Sequence, residues 1–255
     1  MDDTLLYEVA DEVATITINR ERQRNALDDA TLFKLRDALE DAKRDGIGAI
    51  VLKGAGLKAF SAGSDIKEMA RQTQKEQIAH TELGQDIADF IERHPAPIIA
   101  AIEGYCLGGG LEMSLACDLR IAGAGATLGL PEVRNLSALP SWGGTVRLPR
   151  IVGVGRAREV IIFGRTLTAE EALDWGLIAR VTPEGGAYEA ALETARRFAA
   201  EVDPGAAAIA KRLITFGWGA PTQTARHMEY LADMSQLASG ALAGAVDKFT
   251  RKKEG

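Results

Sequence analysis

Apolar and polar residues alternate through residues 13–19 (VATITIN), the period of a half-buried strand. Through residues 28–45 (DDATLFKLRDALEDAKRD) the period changes. Leu32, Leu35 and Leu39 recur at helical spacing behind an acidic first turn, and Gly46 supplies the stop. Residues 49–52 form a short apolar strand closed by Gly54, residues 74–93 read as a helix, and residues 97–102 (PIIAAI) as a buried strand. A helix over 110–116 follows three glycines, and a strand over 119–122 follows it. From about Ala187 the strand signals stop, and ETARRFAA, PGAAAIAKRLITF and TARHMEYLADMSQLA are helical in pattern. Alternating strands and helices predict an α/β layered fold over residues 1–186, and the shift predicts a helical region over 187–255. No Ser/Pro linker, low-complexity stretch or fixed-period repeat interrupts the chain.

Composition narrows the class. A chain of 255 residues suits one large domain, or one with a small appendage, and can bury a substantial core. With 46% apolar and 26% charged residues it reads as a soluble globular protein. A net charge of −6 argues against nucleic-acid binding, which needs basic surface to displace counterions. No apolar run reaches the length of a membrane span, and the acidic opening MDDTLLYEVA has neither signal- nor transit-peptide character. The expectation is a cytoplasmic protein with no membrane partner. Cys106 and Cys117 lack CxxC spacing and read as free thiols in a reducing compartment. His80, His94 and His227 form no HExxH and neighbour no Cys or Asp at ligand spacing, so they read as structural or exposed and no metal is expected. GxxxxGK[ST], GxGxxG and GxSxG are all missing, which leaves P-loop, dinucleotide and nucleophile-elbow chemistry unsupported.

Glycines cluster where strands end. Ala59 to Lys67 (AFSAGSDIK) follows one strand, Gly104 to Glu112 (GYCLGGGLE) follows another, and Gly129-Leu130-Pro131-Glu132 forms a third segment. Glycine lets backbone approach a ligand closely. Three glycines entering a helix leave bare N–H groups at its positive end, suited to an anion or a developing oxyanion. Glu112 lies nearly one turn past Gly109, so its carboxylate shares a side with the Gly109 N–H. A carboxylate beside a carbonyl-polarising donor points to acid/base work on the adjacent carbon. Each segment alone is also compatible with a phosphate loop or a tight packing site. The lesser alternatives are an exposed helix residue for Glu112 and a helix-dipole charge for Glu132, and Ser64 can serve as a helix N-cap alongside its other role.

In combination the segments resemble the crotonase, or enoyl-CoA hydratase/isomerase, family. Asn19-Arg20 with Asn25-Ala26-Leu27 resembles its first coenzyme-A loop, and Phe60 to Ile66 its first oxyanion loop. Gly104 to Glu112 with Cys117-Asp118 resembles the second. Pro131-Glu132, Gly143-Gly144-Thr145 with Arg147 to Arg150, Gly164-Arg165, Ala169 to Ala172 and Gly176-Leu177 complete the order. The resemblance implies a ββα spiral core and a C-terminal trimerisation region, in homotrimers often paired into hexamers. It implies a coenzyme-A thioester as substrate, with no cofactor. It assigns the oxyanion donors to the N–H groups of Ser64 and Gly109, and acid/base chemistry to Glu112 and Glu132. Coenzyme contacts fall on Arg24, Ala26, Ala62, Asp65, Ile66 and Lys67, with Arg20, Arg22 and Lys58 able to add positive potential. Hydration of a 2-enoyl-CoA is the leading implication. Isomerisation, thioester hydrolysis or a non-catalytic protein of this fold are the alternatives. The chain departs from the family pattern at Val133 to Gly144, one residue longer and carrying Ser141-Trp142. Trp142 is expected to line the acyl pocket, or else to pack in the core. A second departure, Ala243 to Val246, bears on a helix that often touches the adenine.

Overall fold

In a computed structural model the protein is described over residues 3–240, with Leu242, Gly244, Val246 and Thr250 beyond them. The chain forms two compact units, Met1–Val202 and Asp203–Gly255. The first opens on an antiparallel hairpin of β1 (Leu5–Ala10) and β2 (Val13–Ile18), followed by α1 (Asp29–Arg44). Asp28 caps α1, accepting from Thr31 N at 2.8 Å.

From there the chain winds three times through the same unit, two strands and then helix. The first turn is β3 (Ala49–Gly54), β4 (Ala59–Ser61), α2 (Ile66–Met69) and α3 (Gln74–Arg93). The second is β5 (Ile98–Ile102), β6 (Tyr105–Leu107) and α4 (Gly109–Ala116). The third is β7 (Leu119–Gly123), β8 (Thr127–Gly129) and α5 (Glu132–Leu136). Then come α6 (Gly144–Val152), α7 (Val154–Ile161), β9 (Thr166–Thr168), α8 (Ala169–Asp174), β10 (Arg180–Thr182) and α9 (Ala187–Glu201). Each turn gives its first strand to a six-stranded sheet, ordered β1-β2-β3-β5-β7-β10, and its second to a four-stranded sheet, ordered β4-β6-β8-β9. Neighbouring turns pair in parallel in both sheets. The first strands of successive turns start at Ala49, Ile98 and Leu119, so the turns differ in length and leave no fixed-period repeat in the sequence.

β2 is buried at all six positions, not half-buried as its alternation predicts. The larger sheet is covered on both faces. Ala14, Ile16 and Ile18 pack into the main core with Leu32, Leu35 and Leu39 of α1. Val13, Ala49, Val51, Ile99, Ala101 and Ile121 face Ala187, Ala191 and Ala195 of α9. Small residues four apart let α9 lie close on the sheet. That contact moves the boundary: α9, predicted as part of the helical region over 187–255, belongs to the first unit, which ends at Val202. The second unit holds α10 (Pro204–Gly217) and α11 (Thr222–Ser239). Asp203 caps α10 through Ala206 N at 2.7 Å. Ala243 and Ala245, in the second sequence departure, lie outside the described residues. Among the described residues no helix is long and apolar enough to cross a membrane.

Candidate active site

The coenzyme-type loop and the first oxyanion loop are built as one piece. Arg24 and Asn25 both hold left-handed backbone, φ 53° and 55°, uncommon for residues with a side chain. Asn25 supports it from a fully buried position. Its Nδ2 donates to the carbonyls of Ala59 at 2.6 Å and Ala55 at 3.0 Å, and its Oδ1 accepts from Arg20 N at 3.0 Å. Ala62 N donates to Arg24 O, Leu27 N to Gly63 O and Asp65 N to Leu27 O. This pairing turns the Ser64 N–H away from Leu27, and no described residue accepts it. Arg20 bolts the loops together, donating to Ala26 O at 2.5 Å and meeting Asp65 at 2.9 Å and Asp28 at 2.8 Å. Burial alone would raise the Asp65 carboxyl. The Arg20 guanidinium and the N–H groups of Glu68 and Lys67 outweigh it and hold the carboxyl below its ordinary value.

These contacts bear on two expectations. Arg20 is not available to a phosphate, because its guanidinium is spent on Asp28, Asp65 and a carbonyl. The Asp65 carboxylate caps α2 and faces Arg20, so its side chain is structural. Arg24, Ile66 and Lys67 are exposed around the loop mouth, Ala62 is partly buried and Ala26 is buried. Arg24 lies over the Tyr105 ring at 5.3 Å and shares a cavity with Lys58.

The second oxyanion loop arrives from β6. Gly108 holds φ 54° and ψ −130°, a conformation for glycine alone. A side chain there would also lie 3.0 Å from Glu132 Oε1. A Cβ on Gly63, beside Ser64, would lie 3.0 Å from Gly109 N. The two loops therefore touch backbone to backbone, which sets the Ser64 and Gly109 donors side by side. Gly109 N, the first helical N–H of α4, is taken by no described acceptor.

Both glutamates converge on this turn. Glu112 is 3% exposed, and its Oε1 accepts from Trp142 N at 2.7 Å and Gly144 N at 2.8 Å. Burial pushes its carboxyl up to about 7; the Gly144 and Trp142 N–H groups pull it down and the nearby Glu132 charge pushes it up. Glu132 opens α5 with its Oε1 against Gly108, and its buried Oε2 has no partner among the described residues. Burial raises this carboxyl too, against one opposing backbone hydrogen bond. Burial raises the Cys106 thiol to about 12, which leaves it inert.

Trp142 takes the core placement, the alternative to a pocket wall. Its ring is 2% exposed and packed in the core, because Gly84 and Gly109 leave it room there. Sequence reasoning also missed Arg147. This buried guanidinium donates to Trp142 O at 3.0 Å and to Asp89 and Glu92 at 2.7 Å each, fixing the 139–143 loop onto α3. Asp29, Glu68 and His80 come together beneath α2. Two contacts join them: His80 Nδ1 meets Asp29 Oδ1 at 2.5 Å, and Glu68 Oε2 accepts from Asp29 N at 3.0 Å, while the buried His80 Nε2 has no partner among the described residues.

Paired free N–H groups beside a buried and a half-buried carboxyl are an arrangement suited to chemistry next to a polarised carbonyl. The profile of the enoyl-CoA hydratase/isomerase family matches residues 8–244. The short-chain-enoyl-CoA hydratase of Clostridium acetobutylicum is 36% identical over 253 residues, covering 99% of this chain and 96% of that protein. The crotonyl-CoA hydratase of Syntrophomonas wolfei is 37% identical over 180 residues, covering 70% and 69%. The crystal structure of enoyl-CoA hydratase from Bacillus anthracis superposes with a TM-score of 0.93 at 38% identity, covering 98% and 97%. The chain belongs to the enoyl-CoA hydratase/isomerase family, and its two-sheet spiral is the crotonase fold.

The raised Glu112 carboxyl has a consequence for stability. An unfolded glutamate ionises near 4.5, the folded one near 7. Between those values the folded chain holds a proton the unfolded chain has released, so stability falls as pH rises and the loss is complete above pH 7. The full shift is worth on the order of 3 kcal/mol. Glu112→Gln keeps the acceptor and carries no charge. Its thermal midpoint should exceed the wild type's by several degrees at pH 8, with the gap closing toward pH 4. A gap of the same size at both pH values would show that Glu112 is not titrating this way.

Proposed function

We propose that the protein hydrates a 2-enoyl-CoA to the 3-hydroxyacyl-CoA. The observation that carries this reading is a buried and a half-buried glutamate, both with raised carboxyls, on one glycine turn with two unclaimed N–H groups. The Ser64 and Gly109 N–H groups hold the thioester oxygen. Water adds at Cβ, electrons pass from the double bond to that oxygen, and each aimed donor lowers the barrier by about 3–4 kcal/mol. Glu112, one oxygen pinned by Trp142 and Gly144, uses the other to orient the water and take its proton. Glu132, whose carboxyl is raised by its partial burial, delivers a proton to Cα. Glu112 then holds a proton and Glu132 has lost one, and exchange between them resets the site. The named hydratases among its relatives support the same reaction.

Arg24, Ala26, Ala62, Ile66 and Lys67 surround the mouth where the coenzyme would enter, with Lys58 close to Arg24. No step of this chemistry calls on a metal or redox cofactor. We further propose a homotrimer or hexamer. Exposed Ile214, Phe216 and Trp218 on and after α10, and Tyr230, Leu231 and Leu237 on α11, are apolar surface that assembly would cover.

Glu112→Gln and Glu132→Gln should each cut turnover of crotonyl-CoA by about 10²–10⁴ with little change in substrate binding. Loss of enoyl-thioester absorbance with 3-hydroxybutyryl-CoA as product is the expected record. Formation of an isomer or of free coenzyme A would replace hydration by another family reaction. Activity should survive dialysis against a chelator; loss restored by a metal would overturn the cofactor-free scheme. Light scattering should give three or six times the 27.2 kDa chain mass, and a monomeric mass would remove the assembly.

A further inference from the structure

One residue reaches both halves of the site. The Trp142 ring lies where side chains at Gly84 and Gly109 would be. A Cβ on Gly84 would come within 2.1 Å of ring atom Cε2, and one on Gly109 within 2.4 Å of Cζ3. The ring is thus clamped between α3 and the first residue of α4. His80 closes a third side, its ring centroid 5.3 Å away, and Asp29 fixes His80 in turn. The backbone N–H of the same tryptophan donates to Glu112 Oε1 at 2.7 Å.

We propose that Trp142 is a positioning residue of the hydratase site, and that Gly84 acts through it. The ring sets the placement of the Gly109 N–H, and the Trp142 N–H sets that of Glu112. This inference rests on the function proposed above. Gly109 has no side chain, so the ring bears on the helix backbone with nothing compliant between. Close-packed interiors pass such displacements on. An oxyanion donor acts only within hydrogen-bond reach of the charge it stabilises, and a misplacement of about 1 Å can cost about 10²-fold in rate.

Gly84→Ala tests this without touching the site. In a helix that change ordinarily favours folding, but here the new methyl must push the ring. kcat for crotonyl-CoA should fall at least about tenfold, with KM within about threefold. Trp142→Leu keeps the N–H to Glu112 and removes the ring, and should lower kcat similarly. The double variant should be no worse than Trp142→Leu, because no ring remains to be pushed. A second readout needs no turnover. An enoyl-CoA bearing an electron-donating aryl group absorbs further to the red when its thioester oxygen is hydrogen-bonded. The wild type should shift it, and both single variants should shift it less.

Wild-type kcat and a wild-type red shift in Gly84→Ala overturn the proposal. So does a double variant that loses the product of the two single effects. If Gly84→Ala does not fold, an undiminished shift and kcat in Trp142→Leu are sufficient to overturn it. A wild-type protein that binds and shifts the probe but does not hydrate crotonyl-CoA overturns the functional reading alone. No shift in the wild type overturns both.

Discussion

The site depends on one backbone contact, the Gly63 turn lying against the Gly108–Gly109 turn. A Cβ on Gly63 would sit 3.0 Å from Gly109 N, so neither loop can withdraw or gain a side chain there without parting the donors. The spiral makes this contact reproducible. β4 and β6 are adjacent parallel strands of the smaller sheet, and each hands the chain to its oxyanion loop at the same end. Two donors from different turns of the spiral therefore meet because their strands already do. The coenzyme-type loop joins the same assembly through Leu27, Asn25 and Arg20, so a shift in any one loop is felt by the others.

Around that contact the protein places groups that are costly to bury. Glu112 is 3% exposed with its carboxyl raised to about 7, and Glu132 Oε2 is buried with no partner among the described residues. A fold selected for stability alone would not leave them so. The surroundings divide into two kinds. Arg20, Asp65, Arg147 and Glu92 are polar groups paired with one another, and they hold loops in place. Glu112 and Glu132 keep one oxygen each for something else. Cys106, buried and raised to about 12, shows that burial by itself makes an inert group; the glutamates differ in lying beside the Gly108 turn, Glu112 on the helix that follows it and Glu132 with its Oε1 against Gly108.

Much of this was legible in the sequence, and the rest failed for physical reasons. α1, marked by its helical spacing, α3, β5, marked by its apolar run, and α4, marked by the glycines before it, lie within a residue of their expected bounds. β4, β6 and β8 are three residues each, too short to show a period, so the second sheet was invisible even though the motifs sat on its ends. β2 read as half-buried because threonine is polar by type, yet Thr15 and Thr17 are 7% and 8% exposed under a second covering layer. α9 read as part of a separate helical region because its alanines carry no strand signal, and only the sheet shows what they pack against. Within the site, the glycine clusters announced Gly109 and Glu112. Asp65 reads as a coenzyme contact and Arg20 as a source of positive potential because a charged residue in a binding loop gives no sign of which way it points. The partner that decides it lies 45 residues away.

The proposed backbone oxyanion hole also separates what that reaction would fix from what it would leave free. The donors proposed at Ser64 and Gly109 are N–H groups, so the proposed chemistry does not constrain the Ser64 side chain, while the glycines at 63 and 108 are constrained by contact. Side-chain identity matters instead behind the hole. There the 139–143 loop supplies Trp142 to the core, Ser141 O to Gln85 and Trp142 O to Arg147. This is also the segment in which the chain departs from its family's usual glycine-rich turn. A larger residue at 142 requires the vacancy at Gly84 on α3, since the ring occupies the space a side chain there would need. Ring and vacancy are therefore a matched pair. The loop places a ring where the helix has no side chain, and the loop's hydrogen bond to Glu112 is made by backbone and does not depend on which side chain stands at 142.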